Sequence, residues 1–179
     1  DLRLSRGLGD VYKRQDQEIL LISIKDSTTG KITVYGSRPF MNTEKDVQYL
    51  QFQTEEGLLK AFIHDWHSDC PDVITGWNVQ LFDMPYIVRR IERILGEKEA
   101  KLLSPWKNIY PRRIFIKGRE QLAYDITGVA TLDYLELYRK FTYTNQESYR
   151  LDHIAFVELG QKKLDHSEYD TFREFYTND

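Results

Sequence analysis

The chain has 179 residues, 41% of them hydrophobic and 13% aromatic, and carries a formal net charge of −3. That is enough apolar material for one domain, or a piece of one, with a true core, and it argues against a surface that grips nucleic acid everywhere. No apolar run approaches the roughly 20 residues of a membrane span, and no signal-peptide pattern opens the chain. The single cysteine, Cys70, excludes an internal disulfide, and no Cys/His zinc spacing is present. A soluble, intracellular protein is the default expectation.

In chain order, residues 1–15 (DLRLSRGLGDVYKRQ) carry two glycines, four basic residues and no period. They read as a leader foreign to the fold and are set aside. Asp16-Gln17-Glu18 precedes the apolar run Ile19 to Ile22 and reads as a polar strand entry. Glu18 to Lys25 is a strand, Ser27 to Lys31 is turn chemistry, and Ile32 to Tyr35 is a second strand, giving an antiparallel hairpin. Arg38 to Gln53 is irregular, with Val47 to Leu50 a candidate strand. Thr54 then caps a helix whose Leu58, Leu59, Phe62, Ile63 and Trp66 recur at helical spacing. His64 and His67 lie on it without a third ligand nearby and read as surface residues.

Asp72 to Tyr86 (DVITGWNVQLFDMPY) organises the rest. Val73 and Ile74 read as a short buried strand, and Gly76 and Asn78 let the chain leave the sheet sharply. Asp83 stands directly before a helix that opens with Pro85, presents Ile87, Ile91, Ile94 and Leu95 on one face, and stops at Gly96. Asp83 has two readings: a helix N-cap, or a carboxylate held at the carboxyl end of a strand, where α/β sheets bind ligands. From Arg89 to Arg119 there are ten Lys/Arg against Glu92, Glu97 and Glu99, with Glu120 next. This local excess suits phosphates or, equally, a solvated helix face with i,i+4 pairs.

Arg112 to Ile116, a Lys117-Gly118-Arg119 turn and Leu122 to Ile126 form a β-hairpin with a polar tip. Thr131 to Asp133 is a short strand entering a helix at Tyr134 to Lys140, with Asp133 opening the helix and Glu136 exposed rather than either acting as a ligand. Ser148 to Gly160 is a helix with Leu151, Ile154, Ala155 and Val157 inward, and Phe172 to Asp179 begins another. This order gives an α/β chain, a mixed β-sheet flanked by helices on both faces, with the hairpin inserted.

Asn78, Phe82 and Asp83, following Gly76-Trp77, resemble the second exonuclease motif of family-B DNA polymerases. TGWNVQLFDMPYIVRRIERILGEKEAKLLSPW, LDYLELYRKF and SYRLDHIAFVELGQKK resemble the proofreading domain of that family in T-even-type bacteriophages and their relatives, over about Gln17 to Asp179. The resemblance implies a ribonuclease H-like 3′–5′ exonuclease fold, with Asp83 a catalytic metal ligand for two divalent ions, Mg²⁺ or Mn²⁺. It implies that Asn78 and Phe82 contact a single-stranded primer end, and that Lys117 and Arg119 help part primer from template.

The implied partners are DNA and the palm, fingers and thumb of a phage-encoded polymerase in the host cytoplasm, with a sliding clamp a further candidate and no membrane. The family's first motif, Asp-x-Glu within a strand, is expected upstream. Its third, Tyr-x-x-x-Asp, is expected downstream, because Tyr176 to Asp179 ends one residue short. One aspartate cannot hold two cations, so residues 16–179 are expected to be a partial domain, inactive alone. Two other readings stay open: a stand-alone ribonuclease H-like exonuclease, and a non-catalytic exonuclease-like module that binds DNA or protein.

Overall fold

A computed structural model describes residues 17–116 and 118–162. The expectations for the 1–15 leader, Asp16, Lys117, the Arg119 side chain, the helix at 172–179 and the Tyr-x-x-Asp ending lie outside the described residues. The chain divides into two compact units, one ending at Asp133 and one beginning at Tyr134.

In the first unit, β1 (Leu21–Lys25) pairs antiparallel with β2 (Ile32–Gly36), from Leu21↔Gly36 to Lys25↔Ile32. The turn closes because the Asp26 carboxylate accepts the Thr28 N–H at 2.8 Å and the Thr29 hydroxyl at 2.5 Å, while Gly30 takes a φ of 75°. β3 (Val47–Gln51) then lies parallel to β2.

Thr54, in extended conformation, accepts the Gly57 N–H and starts α1 (Glu55–Ser68). Leu58, Leu59, Phe62, Ile63 and Trp66 are all buried, as their spacing predicts. Each such side chain contributes about 1.5–3 kcal/mol. Tyr35 of β2 meets the Phe62 ring edge-on at 5.8 Å and donates its hydroxyl to Asp65 at 2.8 Å. Trp66 Nε1 donates to the Leu103 carbonyl at 2.8 Å.

β4 (Val73–Gly76) leads through a loop into α2 (Asp83–Ile94). Val73 is 50% exposed, so β4 is not the buried strand expected from its residues. It pairs, in parallel, with β7 (Ala130–Asp133). The buried face of α2 is Met84, Pro85, Val88, Arg90 and Ile91. Of the expected face, Ile91 is buried and Ile87 and Leu95 pack partly buried against the core, while Ile94 is left 38% exposed and Arg90 finds a buried partner in Glu55.

Gly96, at φ 96°, ends the helix as expected. α3 (Glu97–Ala100) and a single 3₁₀ turn (Lys101–Leu103) follow, too short to leave a period in the sequence, and carry Leu103 into the core.

β5 (Ile109–Ile116) and β6 (Arg119–Ile126) pair antiparallel from Ile109↔Ile126 to Ile116↔Arg119, so Pro111 lies within a strand, opposite Tyr124. Among the described residues the strands form three small sheets, β1-β2-β3, β4-β7 and β5-β6, where the element order suggested one mixed sheet.

In the second unit, α4 (Tyr134–Phe141) and α5 (Leu151–Leu159) are joined by the Tyr138 hydroxyl donating to Glu158, with Arg139 over the Tyr149 ring at 4.4 Å. Gly160, at φ 68°, closes α5. Of the expected inward face only Ile154 is buried, and Leu151 and Val157 are about half exposed.

Candidate active site

The loop between β4 and α2 begins with a close approach. A Cβ on Gly76 would stand 3.2 Å from the Val79 Cβ, so the bare backbone lets Val79 fold back over the strand end and become buried. Between them Asn78 adopts φ 63°, a left-handed conformation that Asn tolerates better than most residues. Its carbonyl accepts the N–H groups of Leu81 at 3.2 Å and Phe82 at 3.0 Å, and the Val79 carbonyl accepts that of Met84 at 3.0 Å. These bonds make a tight loop that delivers the chain directly into α2.

Asn78, Phe82 and Asp83 are thereby brought onto one loop. Phe82 is 57% exposed, its ring tilted against Tyr86 at 6.3 Å. Phe82, not Asp83, holds the N-cap place, and no side chain caps the helix, so the capping reading of Asp83 does not hold. Asp83 is the first helical residue and is exposed as a whole residue, though its carboxyl group sits among protein atoms. Its carboxyl is nonetheless raised above the ordinary value of 3.8, chiefly by burial. A bond from its own backbone N–H opposes this in part, and the nearby Asp133 charge adds to it.

Asp133 is the residue whose role sequence reasoning missed. It ends β7 in register with Gly76 and is 5% exposed. Its Oδ1 accepts the Asn78 N–H at 2.9 Å and its Oδ2 the Gln80 N–H at 3.0 Å. It stands directly ahead of α4, as a helix-opening acid does, and its oxygens also hold the loop of the neighbouring strand. Glu136 is exposed, as expected.

The basic excess is partly consumed by pairing. Arg90 lies buried against Glu55, Arg112 pairs with Asp125 at 3.1 Å, and Arg113 with Glu120 at 3.1 Å. His64 Nδ1 sits 3.2 Å from Asp65, and His67 Nδ1 3.3 Å from the Leu102 carbonyl, in keeping with surface roles.

Among the described residues no three His, Cys, Asp or Glu side chains converge on a point that could hold a metal ion. Asp83 offers one carboxylate, and both oxygens of Asp133 already face backbone N–H groups. The described residues alone therefore do not fit a centre of two cations about 3.5–4 Å apart.

A sequence model of the DNA polymerase family B exonuclease domain matches residues 6–154. The chain is 40% identical over 116 residues to the DNA-directed DNA polymerase of Escherichia phage RB69, which covers 65% of this chain and 13% of that protein. It is 39% identical over 118 residues to the DNA-directed DNA polymerase of Enterobacteria phage T4, covering 66% and 13%. To the DNA polymerase delta catalytic subunit of Bos taurus it is 29% identical over 126 residues, covering 64% and 11%. The chain thus spans 13% of the length of the two phage relatives.

Proposed function

Because this chain belongs to the exonuclease-domain family of the family B DNA polymerases, we propose that it is a segment of a replicative DNA-directed DNA polymerase. In this reading the domain has a ribonuclease H-like fold and removes mispaired 3′-terminal nucleotides by hydrolysing the last phosphodiester. Two divalent cations, Mg²⁺ or Mn²⁺, would supply the charge that activates water and stabilises the leaving oxygen. Asp83 contributes one carboxylate, and the remaining ligands come from residues beyond those described. The reading takes those ligands to belong to the longer protein, so that the segment by itself is inactive.

Asn78 hydrogen-bonds the primer strand, and Phe82 stacks on the terminal base, a contact that tolerates any sequence. Lys117 and Arg119 contact the substrate by helping to part the primer end from its template. The partners are a frayed primer end, the polymerase's own palm, fingers and thumb, and a sliding clamp, all in the cytoplasm of an infected bacterium.

One observation carries this reading. The Asp83 carboxylate follows an exposed aromatic residue, feels the charge of Asp133 at the end of β7, and is not used to cap its own helix. The test uses the longer protein that contains this segment. Asp83→Ala is expected to slow removal of a mispaired 3′ nucleotide about a hundredfold or more while DNA synthesis persists. An unchanged excision rate overturns the assignment. Nuclease activity of the purified 179-residue chain, abolished by the same substitution, overturns the claim that the segment is inactive alone.

A further inference from the structure

We propose that Asp133 is the positioning residue of this site, the group that fixes the loop from which Asn78, Phe82 and Asp83 project. The proposal deepens the exonuclease reading and rests on it for its catalytic meaning, though not for its structural content.

Three observations converge. Asp133 is 5% exposed and ends β7 directly across from Gly76, so the β4–β7 pairing itself delivers its carboxylate to the loop. Each of its oxygens accepts one backbone N–H, from Asn78 at 2.9 Å and from Gln80 at 3.0 Å. These two amides flank Val79, the residue that folds back over Gly76, and the first belongs to the left-handed Asn78. A carboxylate that clamps both sides of a turn fixes its dihedral angles. The turn then determines where the next residues, Phe82 and Asp83, emerge.

An ionised carboxylate suits this task because it accepts through two oxygens at once and strengthens each bond by its charge. Asparagine has the same shape but one acceptor, and its NH₂ group would face a backbone donor. One of the two amides would then lose its partner. Glutamate keeps both acceptors but places them one methylene too far along.

The first readout is hydrogen exchange on the purified chain, which needs no catalysis. In Asp133→Asn, at least one of the Asn78 and Gln80 amides is expected to exchange about tenfold faster or more. Amides of β1, β2 and α1 should be unchanged. Unchanged exchange at both amides overturns the proposal. Should the asparagine variant fail to fold, the wild-type chain still decides: the Asn78 and Gln80 amides must exchange at least tenfold slower than free amides, and exchange at the free rate overturns the proposal.

The second readout is excision by the longer protein. Asp133→Asn is expected to lower kcat at least tenfold with KM within about twofold, since the loop is displaced but the binding surface remains. Faster exchange with unchanged kcat overturns the catalytic half. Wild-type excision in Asp83→Ala overturns the exonuclease reading itself, and the exchange data still judge whether Asp133 holds the loop.

Discussion

Arg90 of α2 holds Glu55, the first residue of α1, in a two-point grip: Nε donates to Oε1 at 2.8 Å and a second guanidinium nitrogen donates to Oε2. Both side chains are nearly sealed from solvent, at 6% and 9% exposure. The Ile19 N–H also donates to Glu55 Oε1, at 2.8 Å, so one carboxylate joins the strand entry to two helices. Bonding to Glu55 holds the guanidinium firmly in its charged form.

Truncating one partner leaves the other charge buried and uncompensated. Arg90→Ala is therefore expected to cost about 3–5 kcal/mol in urea unfolding. Replacing Arg90 and Glu55 together by methionine should cost less than either single truncation. A single-variant loss below about 1 kcal/mol, the ordinary value for an exposed pair, would refute the buried linkage.

Asp83 makes the opposite kind of prediction. Its folded carboxyl is raised above 3.8, first by burial. The fold therefore favours the protonated form, and stability present below the ordinary value is lost as pH rises through the folded one. Asp83→Asn removes that loss, so the variant should melt higher than wild type at pH 7. The advantage should vanish below the ordinary value of 3.8. Melting curves of both proteins from pH 3 to pH 8 check this, and a variant that is less stable at pH 7 contradicts it.

Phe82 is 57% exposed, so little of the core depends on it. Phe82→Ala should leave the melting temperature within a few degrees and weaken binding of an oligothymidylate by about 1–3 kcal/mol if the ring stacks on a base. Tryptophan fluorescence, with Trp77 five residues away in sequence, can follow the titration. Equal affinity in the two proteins removes Phe82 from the interface.

Gly128 has φ 93°, and a Cβ there would fall 2.6 Å from the Pro105 Cγ. Next to it, the buried Ser104 donates its hydroxyl to the Thr127 carbonyl at 2.6 Å. Gly128→Ala meets both the backbone strain and the clash, and should lower stability by about 1–3 kcal/mol in thermal or urea unfolding.

The elements legible in the sequence are those whose signals are local. Thr54 with Leu58, Phe62 and Trp66 announced α1, and Gly96 announced the end of α2. Asn78, Phe82 and Asp83 were legible as a group because they sit within one loop and its helix. Arg90 looked like one more basic residue on a solvated face, because the partner that buries it, Glu55, lies 35 positions away. The hold of Asp133 on the loop went unseen for the same reason, since its acceptors serve amides 55 and 53 positions earlier. The exposure of Val73 likewise depends on which strands lie beside β4, and no residue in β4 reports that.

The separation between Asn78 and Asp133 also has a meaning in time. At synthesis rates of about 5–20 residues per second, 55 residues correspond to roughly three to eleven seconds on the ribosome. Throughout that interval the nascent loop carries Asn78, Phe82 and Asp83 with no carboxylate to receive its two amide donors. Closing so long a segment also slows the search for the parallel β4–β7 pairing once the strand is made. The loop thus acquires its shape late, and a ribosome that stalls before Asp133 leaves a chain in which the core of α1 can form while Asp83 has not yet been given its place.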